Sequence, residues 1–355
     1  MGLRPLLFLV AIEVGLLLVL FGLLLVWSPV SALLGARSQR REWSAYAALR
    51  AWRTGDSTTR VRRPLGRCSL YSLRRVLETR AARRAEDAGL PLSQVVREGP
   101  AHRKALRWAR SSLWWHRLAA AQLLALIGDE EDLPSLVRLL DDPHPAPASA
   151  ALLAARRFPH LSLIDPLLDL ALGRTPGALS HKEHVHIVLV GMGESLVGPL
   201  RDRFRRVKDE DGDVTLLQLA GRLGSPALRD EIETHLGQGG LEVRINAARA
   251  LAGLPKRGSV QPLRAALEDP AWQVRAQAAS ALGRLEARTA AEDLLRALSD
   301  PSWWVRLRAG LALRQLGWKG ERLLESVTPA QDRYAHDMAR YVLGLEDAAA
   351  WEYAS

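Results

Sequence analysis

Apolar residues recur along most of this chain at the three-to-four-residue spacing of an α-helix, and that pattern is itself repeated at a longer interval. Leu263 and Leu267, and again Leu294 and Leu298, lie four apart and predict one face of a helix. Downstream of each pair comes a run of the form Ala-Ala-x-x-Leu-x-x-Leu, predicting the face of a second helix. Ala278-Ala279, Leu282 and Leu285 fill it in one copy, and Ala309-Gly310, Leu313 and Leu316 in the next. Asp269-Pro270 and Asp300-Pro301 separate the two helices. Proline suits a first helical turn, and the residue before it is pushed out of helical geometry, so each dipeptide predicts a turn followed by a helix start.

The copies share one register. Arg244, Arg275 and Arg306 stand 31 residues apart, and Ala247-Ala248, Leu251 and Leu254 complete the columns in the first of these units. The template fits again far upstream at Arg117, with Ala120-Ala121, Leu124, Ile127, Leu136, Leu140 and Asp142-Pro143, each displaced by 158 residues from the unit at Arg275. Degenerate copies start near Ala146, Lys182 and Asp213, which gives about seven units and a small insertion near residues 158–180. One helix pair alone would leave its apolar stripe in water, so the units must stack on one another. The expectation is an all-α chain whose residues 111–330 form an α-solenoid of about seven ~31-residue helical hairpins. Tyr334, Met338, Tyr341 and Leu345 have helical spacing and predict a closing helix within residues 331–355.

The first segment obeys a different pattern. Residues 5–27 are apolar apart from Glu13, and these 23 residues suffice for the ~30 Å hydrocarbon core of a bilayer, so a transmembrane helix is expected over residues 5–34. A cleavable signal peptide is the competing reading, but the apolar stretch is too long for one. Arg4 precedes the segment, while Arg37, Arg40, Arg41, Arg50 and Arg53 follow it. By the positive-inside rule this predicts a single-pass inner-membrane protein, N-terminus out, with its C-terminal bulk in the cytoplasm. A carboxylate within the apolar stretch is costly, so Glu13 is a candidate contact with another membrane protein.

Charge sharpens the division. The net charge of +10 arises wholly from residues 1–110, at +13, whereas residues 111–355 carry −3. Residues 37–84 alone hold 14 arginines and 3 acids, so residues 35–110 read as a basic juxtamembrane helical region. Arg37, Arg40 and Arg41 are placed to meet an anionic lipid surface. The acidic balance of the repeats argues against a nucleic-acid binder. With 48% hydrophobic residues the chain can bury a core, and with Cys68 as its one cysteine it forms no internal disulfide.

Trp114, Trp272 and Trp303 each stand three residues before a template arginine, and Trp304 follows the last. An indole in this register either packs against the turn or contributes to a docking stripe, because tryptophan is enriched among interface hot spots. Arginines on the second helices, Arg249, Arg284, Arg308 and Arg314 among them, could flank such a stripe. His181, Glu183, His184 and His186 have helical spacing, yet no further ligand pair completes a metal site. Asp209-Glu-Asp-Gly-Asp213 is similar to a calcium loop, but its glycine is misplaced and the closing glutamate is missing, so an inter-helix loop is expected. No nucleophile elbow, phosphate-cradling loop or paired-carboxylate motif is present, and neither a cofactor nor an enzymatic activity is expected.

The texts DPAWQVRAQAASALGRL (269–285), DPSWWVRLRAGLALRQL (300–316) and RLAAAQLLALIG (117–128) resemble the HEAT-repeat family, in particular the bacterial PBS-lyase HEAT-like repeat. The resemblance covers about residues 111–325 and implies a ladder between repeats, with Asp269 and Asp300 meeting Arg244, Arg275 and Arg306, interrupted where Ala148 and Asp213 replace arginine. It also implies a scaffold or adaptor that holds a protein partner. A chromophore-lyase accessory role and nucleic-acid binding are the alternatives within the family.

Overall fold

The computed structural model describes residues 35–345, apart from 53–55, 88, 158, 175–181 and 331. Every regular element among the described residues is helical. The apolar segment 5–34 and Glu13 lie outside the described residues. Among the described residues no helix is long and apolar enough to cross a membrane. This overturns the expected single-pass inner-membrane placement. The longest element among the described residues, α1 (35–51), carries Arg37, Arg40, Arg41 and Arg50 on exposed positions. The apolar helices α7 (Trp114–Ile127) and α13 (Glu210–Leu223) have 14 residues each, about 21 Å at the α-helical rise.

Two compact units divide between residues 158 and 159, inside the interval where an insertion was expected. In the first, α1 and the short helices α2 (Thr59–Gly66), α3 (Leu70–Leu77), α4 (Arg80–Asp87), α5 (Leu92–Arg97) and α6 (Pro100–Trp108) lead into α7. A complete hairpin follows, α8 (Leu133–Leu140) and α9 (Pro145–Arg157), and α9 packs along α7.

The second unit is more regular. Its first helices are α10 (Ile164–Ala171), α12 (Val197–Arg206), α14 (Arg229–Gln238), α16 (Lys256–Ala266), α18 (Ala291–Ala297) and α20 (Trp318–Ser326). Its second helices are α11 (Lys182–Val190), α13, α15 (Leu241–Leu251), α17 (Trp272–Arg284), α19 (Trp303–Gln315) and α21 (Arg333–Leu343). Each second helix packs on the first helix of its own hairpin and on the second helix of the next. The closing helix expected near the C-terminus is α21, and it occupies the second-helix column beside α19, paired with α20.

The columns read from the sequence form the core. Ala247, Ala248, Leu251, Ala278, Ala279, Leu282, Ala309 and Leu313 are fully buried, as are Leu263, Leu294 and Leu298 of the first helices. Burying a leucine side chain contributes roughly 1.5–3 kcal/mol, so each unit gains most of its stability from a few such positions shared with a neighbour. Small residues set the helix separation. A Cβ placed on Gly253 would lie 2.0 Å from the Gly221 carbonyl oxygen, and one on Gly221 would lie 2.7 Å from Ala250 Cα. The α13–α15 approach is therefore closed to any side chain at these positions.

The turns differ from expectation in one respect. Pro270 and Pro301 stand two residues before their helices begin, not in the first helical turn. Asp269 Oδ1 accepts the Ala271 N–H at 2.8 Å and Asp300 Oδ1 the Ser302 N–H at 2.7 Å. Each closes an Asx-type turn that delays the helix start. Asp142 does the same for the His144 N–H at 2.9 Å.

Replacing Gly253 by alanine forces a methyl group into the Gly221 carbonyl. The expected outcome is a loss of about 1–3 kcal/mol, the usual cost of overpacking, measured as a lower urea midpoint. Alanine at exposed Gly237, where a Cβ meets nothing within 4 Å, should not lower it.

Candidate functional site

The strongest polar construction in the repeats is a set of arginine–aspartate pairs 25 residues apart. Arg244 donates through Nε to Asp269 Oδ2 at 2.9 Å and through Nη2 to Oδ1 at 3.2 Å. Arg275 engages Asp300 in the same two-pronged way at 2.7 and 3.0 Å, and Arg117 engages Asp142 at 2.5 and 2.9 Å. The remaining prong turns back. Arg275 Nη1 donates to the Asp269 and Pro270 carbonyls at 2.9 and 3.1 Å, and Arg117 Nη1 to those of Ser111 and Ser112, both at 2.9 Å. One guanidinium thus ties the turn before its own helix to the turn of the next hairpin. The hydrogen bond that each donates to its aspartate raises the pKa of Arg275 and of Arg117 above the ordinary arginine value.

At the C-terminal end the pattern changes. Arg306 Nη1 still donates to the Asp300 and Pro301 carbonyls, at 2.8 and 3.1 Å. Its guanidinium lies 5.5 Å from the centre of the Tyr334 ring, a cation–π contact where a carboxylate pair stood before. At Asp213, which replaces the ladder arginine in α13, His235 Nε2 is 3.5 Å from the carboxylate, and burial raises the Asp213 pKa against the opposing charge of His235.

A second row of ion pairs joins successive first helices and was not read from the sequence. Arg201 Nε donates to Glu231 at 2.6 Å, 30 residues on, and Arg264 pairs with Asp293, 29 residues on. In the first unit Arg97 reaches the buried Asp132 at 2.6 Å, which His102 Nε2 also meets at 2.7 Å. The signal was present as arginine and acid on adjacent first helices, but drifting spacing concealed it. Burial pushes the Asp293 carboxyl up, and hydrogen bonds and charges from Arg264 and Arg296 more than offset this, leaving its pKa lowered.

The tryptophans do not sink into the core. Trp114, Trp272, Trp303 and Trp304 are 39%, 40%, 44% and 51% exposed, so each indole keeps a free face at the start of its helix. Trp114 stacks on His144 with ring centroids 4.1 Å apart, and Trp303 meets Trp304 edge-on at 4.9 Å. The register holds more than tryptophan. Leu241, Trp272, Trp303 and Tyr334 are spaced 31 residues apart, and all four are exposed, forming one apolar row along the helix starts of α15, α17, α19 and α21. Leu241 and Tyr334 were missed because the residue type changes while the column does not.

The other marked residues separate. Arg308 is half-buried in α19, and Arg314 Nη1 donates to the Val342 and Leu345 carbonyls at 3.0 and 2.7 Å, tying α19 to α21 and its end. His184 is exposed whereas His186 is buried, its pKa pushed down to about 4 by burial and then by Arg222 and Lys182, and His181 lies outside the described residues. Among the described residues no cluster of histidine, cysteine and acid could hold a metal. The acidic stretch 209–213 is not a loop. Asp209 caps α13 by accepting the Gly212 N–H at 2.8 Å, and the following acids occupy a first helical turn, where they complement the helix dipole.

Stacked hairpins locked turn to turn by arginine–aspartate pairs define an α-solenoid of tandem helical repeats. Residues 260–344 match the family profile for HEAT repeats, and residues 243–269 match that for the PBS lyase HEAT-like repeat. The repeats over residues 243–344 are thus HEAT-like. No curated protein matches the sequence. A solved structure of human deoxyhypusine hydroxylase in complex with glycerol aligns over 81% of this chain and 98% of that chain, at 16% identity and a TM-score of 0.31.

Two predictions follow from the ion pairs. Asp300→Ala removes both oxygens that Arg275 uses and the acceptor of the Ser302 N–H, and should cost about 3 kcal/mol or more. In a double-mutant cycle Arg275→Ala/Asp300→Ala should cost clearly less than the two single changes added. For Asp293, a lowered folded-state pKa means stability that is present above the unfolded value of about 4 and lost as pH falls through the folded value. Asp293→Asn should therefore be less stable than the parent at pH 7, and the gap in urea midpoints should narrow at about pH 3.

Proposed function

We propose that this protein is a binding scaffold: its second unit presents the turn edge of its HEAT repeats to a protein partner, and its task is association without bond making. The observation that carries the reading is the row of Leu241, Trp272, Trp303 and Tyr334, with Trp304 beside it. An apolar residue of large area, held at the same place on four successive hairpins, leaves more than a third of its surface to solvent at every one of them. Aromatic anchors set on a rigid framework lose little conformational freedom on binding, and such residues dominate interface energetics. The arginine–aspartate ladder supports the same reading, because it fixes the helix starts on which the row stands.

The half-exposed state of the indoles permits a clean test. Trp272→Ser/Trp303→Ser should lose some stability with the covered part of each indole but keep the parent's helical circular dichroism below its own melting temperature. In affinity purification with the full-length chain it should lose a protein that the parent retains, and fresh parent protein should recapture that species. If the same proteins are retained by both forms, the row is not the docking edge. If the retained species is a coloured small molecule and no protein, the scaffold reading fails.

A further inference from the structure

The helices behind the apolar row have an unbalanced charge. Acids occur on α13 as Glu210, Asp211 and Asp213 and on α15 as Glu242, all in the first turn, and α17 and α19 contain none. Arginines on the later turns of these helices are Arg222, Arg249, Arg284, Arg308 and Arg314. The ladder neutralises Arg244 and Arg275 near the starts of α15 and α17, so the excess positive charge of these two helices lies on their later turns.

Three of these arginines surround one groove. It is open, of about 360 Å³, and runs over α13, α15 and α17. Its floor is backbone: Gly221 and Gly253, whose close approach admits no side chain, together with Ala250. Its rim carries Arg222, Arg249 and Arg284. Arg222 is engaged by Glu183 through two bonds of 2.7 and 3.0 Å. Arg249 and Arg284 make no ion pair among the described residues, and Arg284 Nη2 donates to the Arg249 backbone carbonyl at 3.2 Å, which anchors the Arg284 guanidinium beside α15. A planar guanidinium fork is suited to carboxylate in two-pronged geometry, as the ladder of this same protein demonstrates.

We propose that this groove seats an acidic segment of the partner, with glutamate or aspartate side chains received by Arg249 and Arg284. The inference rests on the reading of the second unit as a protein-binding surface and adds the chemistry of what is bound. A polyphosphate chain is the poorer occupant. Residues 159–355 hold 25 basic against 26 acidic residues, so the unit lacks the broad basic field that nucleic-acid binding draws on. A short run of carboxylates needs only the local excess.

The probe is fluorescein-labelled hexaglutamate, titrated with the full-length chain at low and moderate salt and read by fluorescence anisotropy. The expected result is salt-sensitive binding that weakens at least tenfold in Arg249→Ala/Arg284→Ala and is unchanged in Trp272→Ser/Trp303→Ser. Both arginines are exposed, so the double variant should keep the parent's helical circular dichroism and melting temperature. Arg249→Lys/Arg284→Lys, which keeps charge but loses the fork, should fall between. No binding overturns the proposal, and so does equal binding by parent and double alanine variant, which would place the peptide on the arginine-rich residues 37–84. Tighter binding of a labelled oligothymidylate, with the same loss in the variant, overturns it in favour of nucleic acid. If the tryptophan variant loses its protein partner while hexaglutamate binding is insensitive to the arginines, the scaffold reading stands and the acidic-segment inference falls.

Discussion

The second unit depends on one contact: a guanidinium that grips the carboxylate of the following hairpin with two prongs and the carbonyls of its own turn with the third. Hydrophobic burial explains why the hairpins stack, but burial is non-directional and would tolerate sliding. The two-pronged pair does not tolerate it. Arg275 reaches Asp300 only when α17 and α19 lie in one register, and the same carboxylate fixes where α19 starts by holding the Ser302 N–H. Register, turn shape and helix start are therefore set together by one charged side chain.

Much of this was legible in the sequence, for a physical reason. Core columns and ladder residues must recur at the hairpin period, so Leu251, Leu282 and Leu313 and the arginines before them announce the array directly. Interactions with looser spacing do not announce themselves. Arg201 and Glu231 lie 30 residues apart and Arg264 and Asp293 29, against the 31 of the core columns, so the intervals drift by a residue and no column forms. The apolar row was half legible: tryptophan is conspicuous, whereas Leu241 and Tyr334 take the same position with commonplace residues. The acidic stretch 209–213 was misread because a run of acids with a glycine suits a loop and a helix first turn equally. The capping bond from Gly212 to Asp209 decides between them. The arginine groove was visible only as scattered cations, since what makes it a groove is the close approach of Gly221 and Gly253.

The ladder and the two candidate surfaces divide the chemistry of α15 and α17 along their length. At the start, arginine is neutralised by aspartate and the exposed position is apolar. In later turns no acid is present and arginine charge accumulates. An apolar edge beside a cationic groove suits a partner whose own surface alternates the same way, since electrostatic complementarity sets orientation and encounter rate more than affinity.

The rungs also give the array a mechanical character. Each links only neighbouring hairpins, so a pull along the stack loads them in series, and extension begins wherever a link is weakest. At Asp213 the guanidinium fork gives way to a histidine–carboxylate contact of 3.5 Å, so the load between the hairpin of α12 and α13 and that of α14 and α15 passes through the Arg201–Glu231 pair and the close approach of Gly221 to Gly253 in place of a turn-to-turn rung.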